Sequence, residues 1–228
     1  MKKQTPVDEA EQIQQAILMR ELEEEIQKEK LLNLWKKYRV PFIGTIIAVI
    51  AFTAGNEIYR SWYEKVKLAE SNQFEQAIVL NVTKQTEDAQ KIYQNLIAES
   101  KTGYGALSEM RLAQIAFDKN DTAGGLAHLK NVMNNTDLPT EIRSIARLSY
   151  VGHQVDTAEP NVLLNELNPL LTQTNTALYA SVAELHAVLL LRQDNKTQAK
   201  DVLTKAVNLP SVSEESKKRL NALLGIIK

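Results

Sequence analysis

The chain has 228 residues, with 27 lysines and arginines against 28 aspartates and glutamates, and a formal net charge of -1. This length fits one domain, or one domain with an appendage. The balanced charge excludes a broad basic surface for nucleic acid, and the absence of cysteine excludes disulfide scaffolds and thiol nucleophiles. Apolar residues make up 44% of the chain while Gly and Pro are scarce, which predicts an all-α fold.

Residues 1–39 are predicted to form a charged, amphipathic N-terminal helix. Apolar residues recur in it at helical spacing. Glu24 and Lys28 are spaced i,i+4, which stabilises an exposed helix. We therefore interpret the acidic run as a solvated face and not as a catalytic carboxylate pair. The apolar stripe of this leader predicts a coiled coil, or docking on another cytoplasmic surface.

An uncharged segment, residues 40–56, follows the leader directly. As a helix it would span roughly 26 Å, close to the ~30 Å hydrocarbon core of a bilayer. Aromatic residues lie before it at Trp35 and after it at Trp62, as is typical of headgroup belts. We predict a single transmembrane helix over residues 40–58, with the buried core helix of a soluble domain as the alternative.

The span also carries small residues and a proline. Pro41 is expected in its first turn, where the missing N–H is tolerated. Gly44 with Ala48, and Ala51 with Gly55, could pack a second copy of the helix, so a homo-oligomer stays open.

The position and flanks of this span predict its topology. It begins too far from the N-terminus for a typical secretory signal peptide, which favours an uncleaved anchor. Lys and Arg are more frequent in positions 20–39 than in 57–74. We therefore expect a cytoplasmic N-terminus and, in a bacterium, a periplasmic C-terminal domain at the inner membrane.

Small residues recur in pairs about twelve positions apart in residues 59–228, as in helix pairs that cross closely. The pairs are Ala77 with Ala89, Ala113 with Gly125, Ala187 with Ala199 and, more weakly, Gly152 with Leu164. This pattern predicts tetratricopeptide repeat-like helix pairs stacked into an α-solenoid, capped by a helix over 214–227. An irregular helical bundle is the alternative.

Four stretches carry a family resemblance: residues 22–62, residues 104–107, residues 112–114 and residues 118–120. They resemble a bacterial family of single-pass inner-membrane proteins with a tetratricopeptide repeat-like domain, which includes the ancillary SecYEG translocon subunit (YfgM-type). The resemblance implies association with translocon subunits, periplasmic chaperones and exported clients, and it supplies no catalytic residues. The long leader departs from the shorter translocon-subunit form.

No motif indicates catalysis, a cofactor or a metal site. His128, His153 and His186 lack metal-ligand spacing, and no phosphate loop or nucleophile elbow is present. We therefore predict that the protein is not an enzyme and holds neither metal nor cofactor.

Binding surfaces remain, and the phase of the repeats predicts which side chains line a concave groove for partner proteins. These are Leu107, Met110, Gln114, Phe117, Ala146, Ser149, His153, Asp156, Ser181, Glu184, Val188 and Leu191. Burial of any of them against a neighbouring helix is the alternative.

Together these features predict a membrane-anchored protein-interaction adaptor near the protein export channel. A cell-envelope scaffold for division or wall assembly, with a coiled-coil leader, is the alternative function.

Overall fold

The computed structural model describes residues 6–227, apart from the side chains of residues 6–17, 21 and 24, and within this range every regular element is helical. The prediction of an all-α fold is therefore confirmed. The helices are α1 (Pro6–Val82), α2 (Thr86–Glu99), α3 (Tyr104–Asp118), α4 (Thr122–Asn134), α5 (Thr140–Gly152), α6 (Pro160–Leu167), α7 (Tyr179–Arg192), α8 (Lys196–Val207) and α9 (Glu214–Ile226). The chain divides between Glu64 and Lys65 into two compact units.

Helix α1 contains both the predicted leader, whose first five residues lie outside the described part, and the predicted span. No break in the helix marks either end of residues 40–58. Pro41 lies inside α1 and not in a first turn, so that expectation was wrong. The Thr45 Oγ1 donates to the Pro41 carbonyl at 2.8 Å. The side chains of residues 40–56 are exposed.

Three of the helix pairs are joined by the same turn. Lys84, Asn120 and Asp194 have φ of 66°, 62° and 58°, a left-handed conformation that is uncommon outside glycine. The next residue in each turn donates its N–H to the carbonyl five residues back, at 2.8, 2.8 and 2.9 Å. This pattern closes a helix end and satisfies a free carbonyl. The shared turn places α1 with α2, α3 with α4, and α7 with α8 as equivalent units.

Side chains cap the N-termini of α4 and α8, the second helices of two of these pairs. Asp121 accepts from the N–H of Gly124 at 2.9 Å, and Asn195 accepts from the N–H of Gln198 at 3.2 Å. Each cap satisfies a donor that the first helical turn leaves unpaired. Each cap directly follows the left-handed residue of its turn, Asn120 or Asp194.

The small residues predicted at the helix crossings are buried in these three units. Ala77, Ala89 and Ala199 are fully covered, and Ala113 and Ala187 are nearly so. The weaker third unit, α5 with α6, differs because Gly152 is exposed at the end of α5. Gly152 therefore does not serve as a crossing residue, and a longer loop at residues 153–159 replaces the shared turn.

Two apolar clusters hold the domain together. The first joins the end of α1 to α2 and α3 around Phe74, Tyr93 and Leu96. The second extends from α3 through α9. Helix α9 packs on α7 and α8 and buries Leu220 completely. It thereby covers the apolar edge of the last repeat, as capping elements of repeat proteins do.

Candidate functional site

A cavity of about 390 Å³ is lined by five of the residues predicted for the groove. These are Leu107, Met110, Gln114, Phe117 and Ser149. The first four recur along one face of α3, and Ser149 comes from α5. Phe74 of α1, Arg111 of α3 and Leu129 of α4 also line this cavity, which we call the groove cavity.

Phe117 contacts His153, another of the predicted groove residues. Its ring stacks on the imidazole of His153, with ring centroids 3.6 Å apart and an angle of 15° between the planes. Gly125 of α4 lies against the same ring, since a Cβ built on Gly125 would be 2.4 Å from Phe117 Cε1. The missing side chain at residue 125 therefore leaves the space that the Phe117 ring occupies at the wall of the groove cavity.

The remaining predicted residues lie outside the groove cavity. Asp156 is exposed in the loop after α5, and Ala146 is fully buried. The predicted groove residues on α7 are partly buried; they are Ser181, Glu184, Val188 and Leu191. Ala146 is therefore buried against neighbouring helices, as the alternative interpretation of the pattern expected, and it does not line a groove. Leu191 packs against the second apolar cluster, and Glu184 lies 3.6 Å from Arg219 of α9.

Arg192 holds the loop that contains Asp156. Its Nη1 donates to the carbonyls of Val155 and Ala158, at 2.5 and 2.9 Å. The loop at residues 153–159, which carries His153, is therefore attached to the end of α7. No local motif in the sequence signals this contact, because Arg192 and the loop are far apart in the chain.

Glu70 forms a second polar cluster that the sequence patterns did not reveal. Its carboxylate accepts from Ser100 Oγ at 2.6 Å, from the Lys101 N–H at 2.7 Å, and from the Thr102 hydroxyl. Burial by itself would raise the pKa of Glu70, but these hydrogen bonds outweigh burial and hold its pKa below the ordinary 4.5. Glu70 therefore fastens the loop between α2 and α3 to α1.

The three histidines have separate environments. His128 Nδ1 lies 2.5 Å from Glu109 Oε2, His153 stacks on Phe117, and His186 is buried, where desolvation lowers its pKa. Among the described residues, no group of three His, Asp or Glu side chains is placed to hold a metal ion.

The long helix α1 is the one described helix that is long and apolar enough to cross a membrane, judged by length and composition. The apolar segment lies within Leu18–Val82, and none of its most apolar 18 residues is buried.

The comparisons with known proteins agree with the repeated helix pairs. The sequence profile of the tetratricopeptide repeat-like domain matches residues 33–224, which is most of the chain. No curated protein and no solved structure matches the chain significantly. Domains of this kind bind other proteins and are typically not catalytic. The match and the repeated turns together show that the chain belongs to the tetratricopeptide repeat-like domain family.

Proposed function

We propose that the protein is a membrane-anchored adaptor that binds translocon subunits, periplasmic chaperones or exported clients near the export channel. The observation that carries this proposal is the groove cavity, formed by a repeat-like domain that follows an exposed apolar helix in the same chain. Anchoring raises the effective concentration of a weak binder at the membrane. The YfgM-type resemblance supplies the choice of partners.

The chemistry of the groove cavity suits a partly apolar, extended segment. Leu107, Met110 and Phe117 offer apolar surface, while Gln114 and Ser149 offer hydrogen bonds. Arg111 adds one positive charge, which an acidic side chain of a client could pair. A strongly basic tail would not find a matching surface here.

Site-specific photocrosslinking in native membranes tests this function. A photoreactive phenylalanine analogue at Leu107 should crosslink to translocon subunits, chaperones or exported proteins. The same analogue at Lys200, an exposed residue of α8 that does not line the groove cavity, is the matched control. Identical products from both positions, or none from Leu107, would contradict the proposal.

The proposed topology places residues 40–58 in the inner membrane, residues 1–39 in the cytoplasm and residues 59–228 in the periplasm. A reporter enzyme that is active only outside the cytoplasm, fused after Trp62, should be active. Activity of a reporter that works only in the cytoplasm, fused at the same junction, would contradict the proposed orientation.

A cell-envelope scaffold is the second candidate, and one observation favours it. Leu31, Leu34, Trp35 and Tyr38 expose apolar side chains on α1. Such a stripe could pair in a coiled coil or a homo-oligomer. Deleting residues 1–34 separates the two functions, since the adaptor should keep its periplasmic crosslinks and the scaffold should lose its assembly.

A further inference from the structure

Residues 28–39 of α1, which we call the juxtamembrane segment, expose an apolar face directly before the proposed span. The face is formed by residues at positions i, i+3, i+4 and i+7 of the helix, namely Leu31, Leu34, Trp35 and Tyr38. Each of these side chains is at least half exposed. Together with Leu32 and Phe42 they line an open apolar hollow of about 440 Å³. Contiguous exposed apolar surface of this kind marks contact with a partner or with a membrane.

Basic side chains border this apolar face on both sides. At about 100° per residue, Lys30 and Lys37 lie on one side of it, and Lys28 and Arg39 lie on the other. The juxtamembrane segment carries five basic residues and one acidic residue, whereas residues 1–27 carry three basic and seven acidic residues. The positive charge of the leader is therefore concentrated in the part that adjoins the proposed span.

A second copy of α1 matches this face poorly. A coiled coil needs an apolar seam that continues over several heptads. Leu22 and Leu31 are separated by about two and a half helical turns, and so are Ile26 and Trp35, which puts the upstream apolar residues on the opposite side of the helix. The basic residues at both borders would also meet like charges in a second copy, which costs free energy.

An anionic lipid surface matches both the apolar face and its charged borders. Leucine and tryptophan side chains suit the boundary between headgroups and acyl chains, and lysine and arginine reach outward from it to the lipid phosphates. Each basic residue near an anionic membrane surface favours binding by roughly fivefold. Phe42 continues the apolar face into the proposed span, with its ring centroid 6.3 Å from that of Trp35.

Pro41 marks a point at which α1 can bend to lie along that surface. Proline has no N–H, so the Lys37 carbonyl cannot receive the usual backbone hydrogen bond from residue 41. The Thr45 hydroxyl also donates to the Pro41 carbonyl at 2.8 Å, and hydrogen bonds of this type often bend helices. Both features lie where the juxtamembrane segment meets the proposed span.

We propose that the juxtamembrane segment binds the anionic headgroup surface of the bilayer that the chain is anchored in. Its apolar face inserts among the headgroups, and the lysines and arginine at its borders pair with lipid phosphates. This binding rests on the membrane span of the proposed function, but it needs neither the groove cavity nor a protein partner. It gives the leader a role different from the coiled coil of the scaffold alternative.

Fluorescence of the full chain reconstituted into vesicles tests the proposal. Vesicles of phosphatidylcholine alone are compared with vesicles that also contain phosphatidylglycerol. The chain has no cysteine, so Leu31→Cys takes an environment-sensitive NBD dye at one site on the apolar face. Asn33→Cys takes the same dye on the other side of the helix. Phosphatidylglycerol should shift the emission of the dye at position 31 to the blue, should change it little at position 33, and should lose this effect at high salt.

A paired set of charge variants tests the role of the basic borders. Lys30→Gln combined with Lys37→Gln removes one border and should lower the ratio of bound to unbound juxtamembrane segment about 25-fold, which abolishes most of the blue shift. Lys65→Gln combined with Lys67→Gln is the matched control, because both lysines are exposed on α1 beyond the span. The control should show the same shift as the protein with all its lysines.

Three results would overturn the proposal. Equal emission at position 31 in the two kinds of vesicle, or equal responses at positions 31 and 33, would exclude lipid binding by this face and leave the proposed function standing. A blue shift that appears in phosphatidylcholine alone and grows with protein density would show that a second copy covers the face instead. Failure of the protein to float with the vesicles in a density gradient would refute the membrane anchor itself, and lipid binding with it.

Discussion

Gly125 is a position where one added methyl group should destabilise the repeat-like domain. A Cβ atom there would lie 2.4 Å from Phe117 Cε1 and 2.6 Å from Cδ1 and Cζ. Non-bonded carbon atoms need about 3.5–4.0 Å. The ring has little freedom to move away, because it also stacks on His153 at 3.6 Å.

Two opposing effects decide the size of the change in Gly125→Ala. Alanine has the higher helix propensity, which contributes about 1 kcal/mol in favour of folding. Inserting an atom into packed surroundings typically costs about 1–3 kcal/mol, and the overlap here is severe. We expect a net loss of about 1–2 kcal/mol, which for a domain of this size lowers Tm by about 2–8 °C.

Thermal denaturation of the full chain in detergent, followed by circular dichroism, measures this loss. Gly225→Ala in α9 is the matched control, because no atom lies within 4 Å of its built Cβ. That variant should be neutral or more stable by at most about 1 kcal/mol. The cause is tested by a double-mutant cycle with Phe117→Ala. Without the ring, Gly125→Ala should no longer destabilise, and an equal loss in both backgrounds would refute the reasoning.

Three other predictions follow from the polar contacts. Glu70→Ala should cost about 1–3 kcal/mol near neutral pH, because it leaves buried donors unpaired. Since the folded pKa of Glu70 lies below 4.5, this penalty should shrink as the pH falls from 4.5 through the folded pKa, which melting curves measured at neutral pH and at several pH values below 4.5 would show. Lowering the pH through 6.5 should destabilise the protein, because unfolded His186 takes up a proton that the folded state resists, and His186→Leu should reduce this slope in pH-dependent melting. Arg192→Ala frees the carbonyls of Val155 and Ala158, so limited proteolysis should cut residues 153–159 faster than in the unmodified protein.

Much of the groove cavity could be predicted from the spacing of side chains along one helix. Leu107, Met110, Gln114 and Phe117 share a face of α3 because helical periodicity places them there. The same reasoning placed Ala146 in the groove, yet it is fully buried. Periodicity identifies a face, but the elements that cover that face come from other parts of the chain.

The sequence by itself determined the helical class, the apolar span and the small residues at the helix crossings, because these depend on composition and on spacing within a few turns. Only the tertiary structure decided the contacts between distant residues. Glu70 looks like any other acidic residue of a charged helix until Ser100 and Thr102 are brought against it. Asn165 and His186 likewise line one cavity only because α6 and α7 pack together, and the local sequence around either residue does not predict this contact.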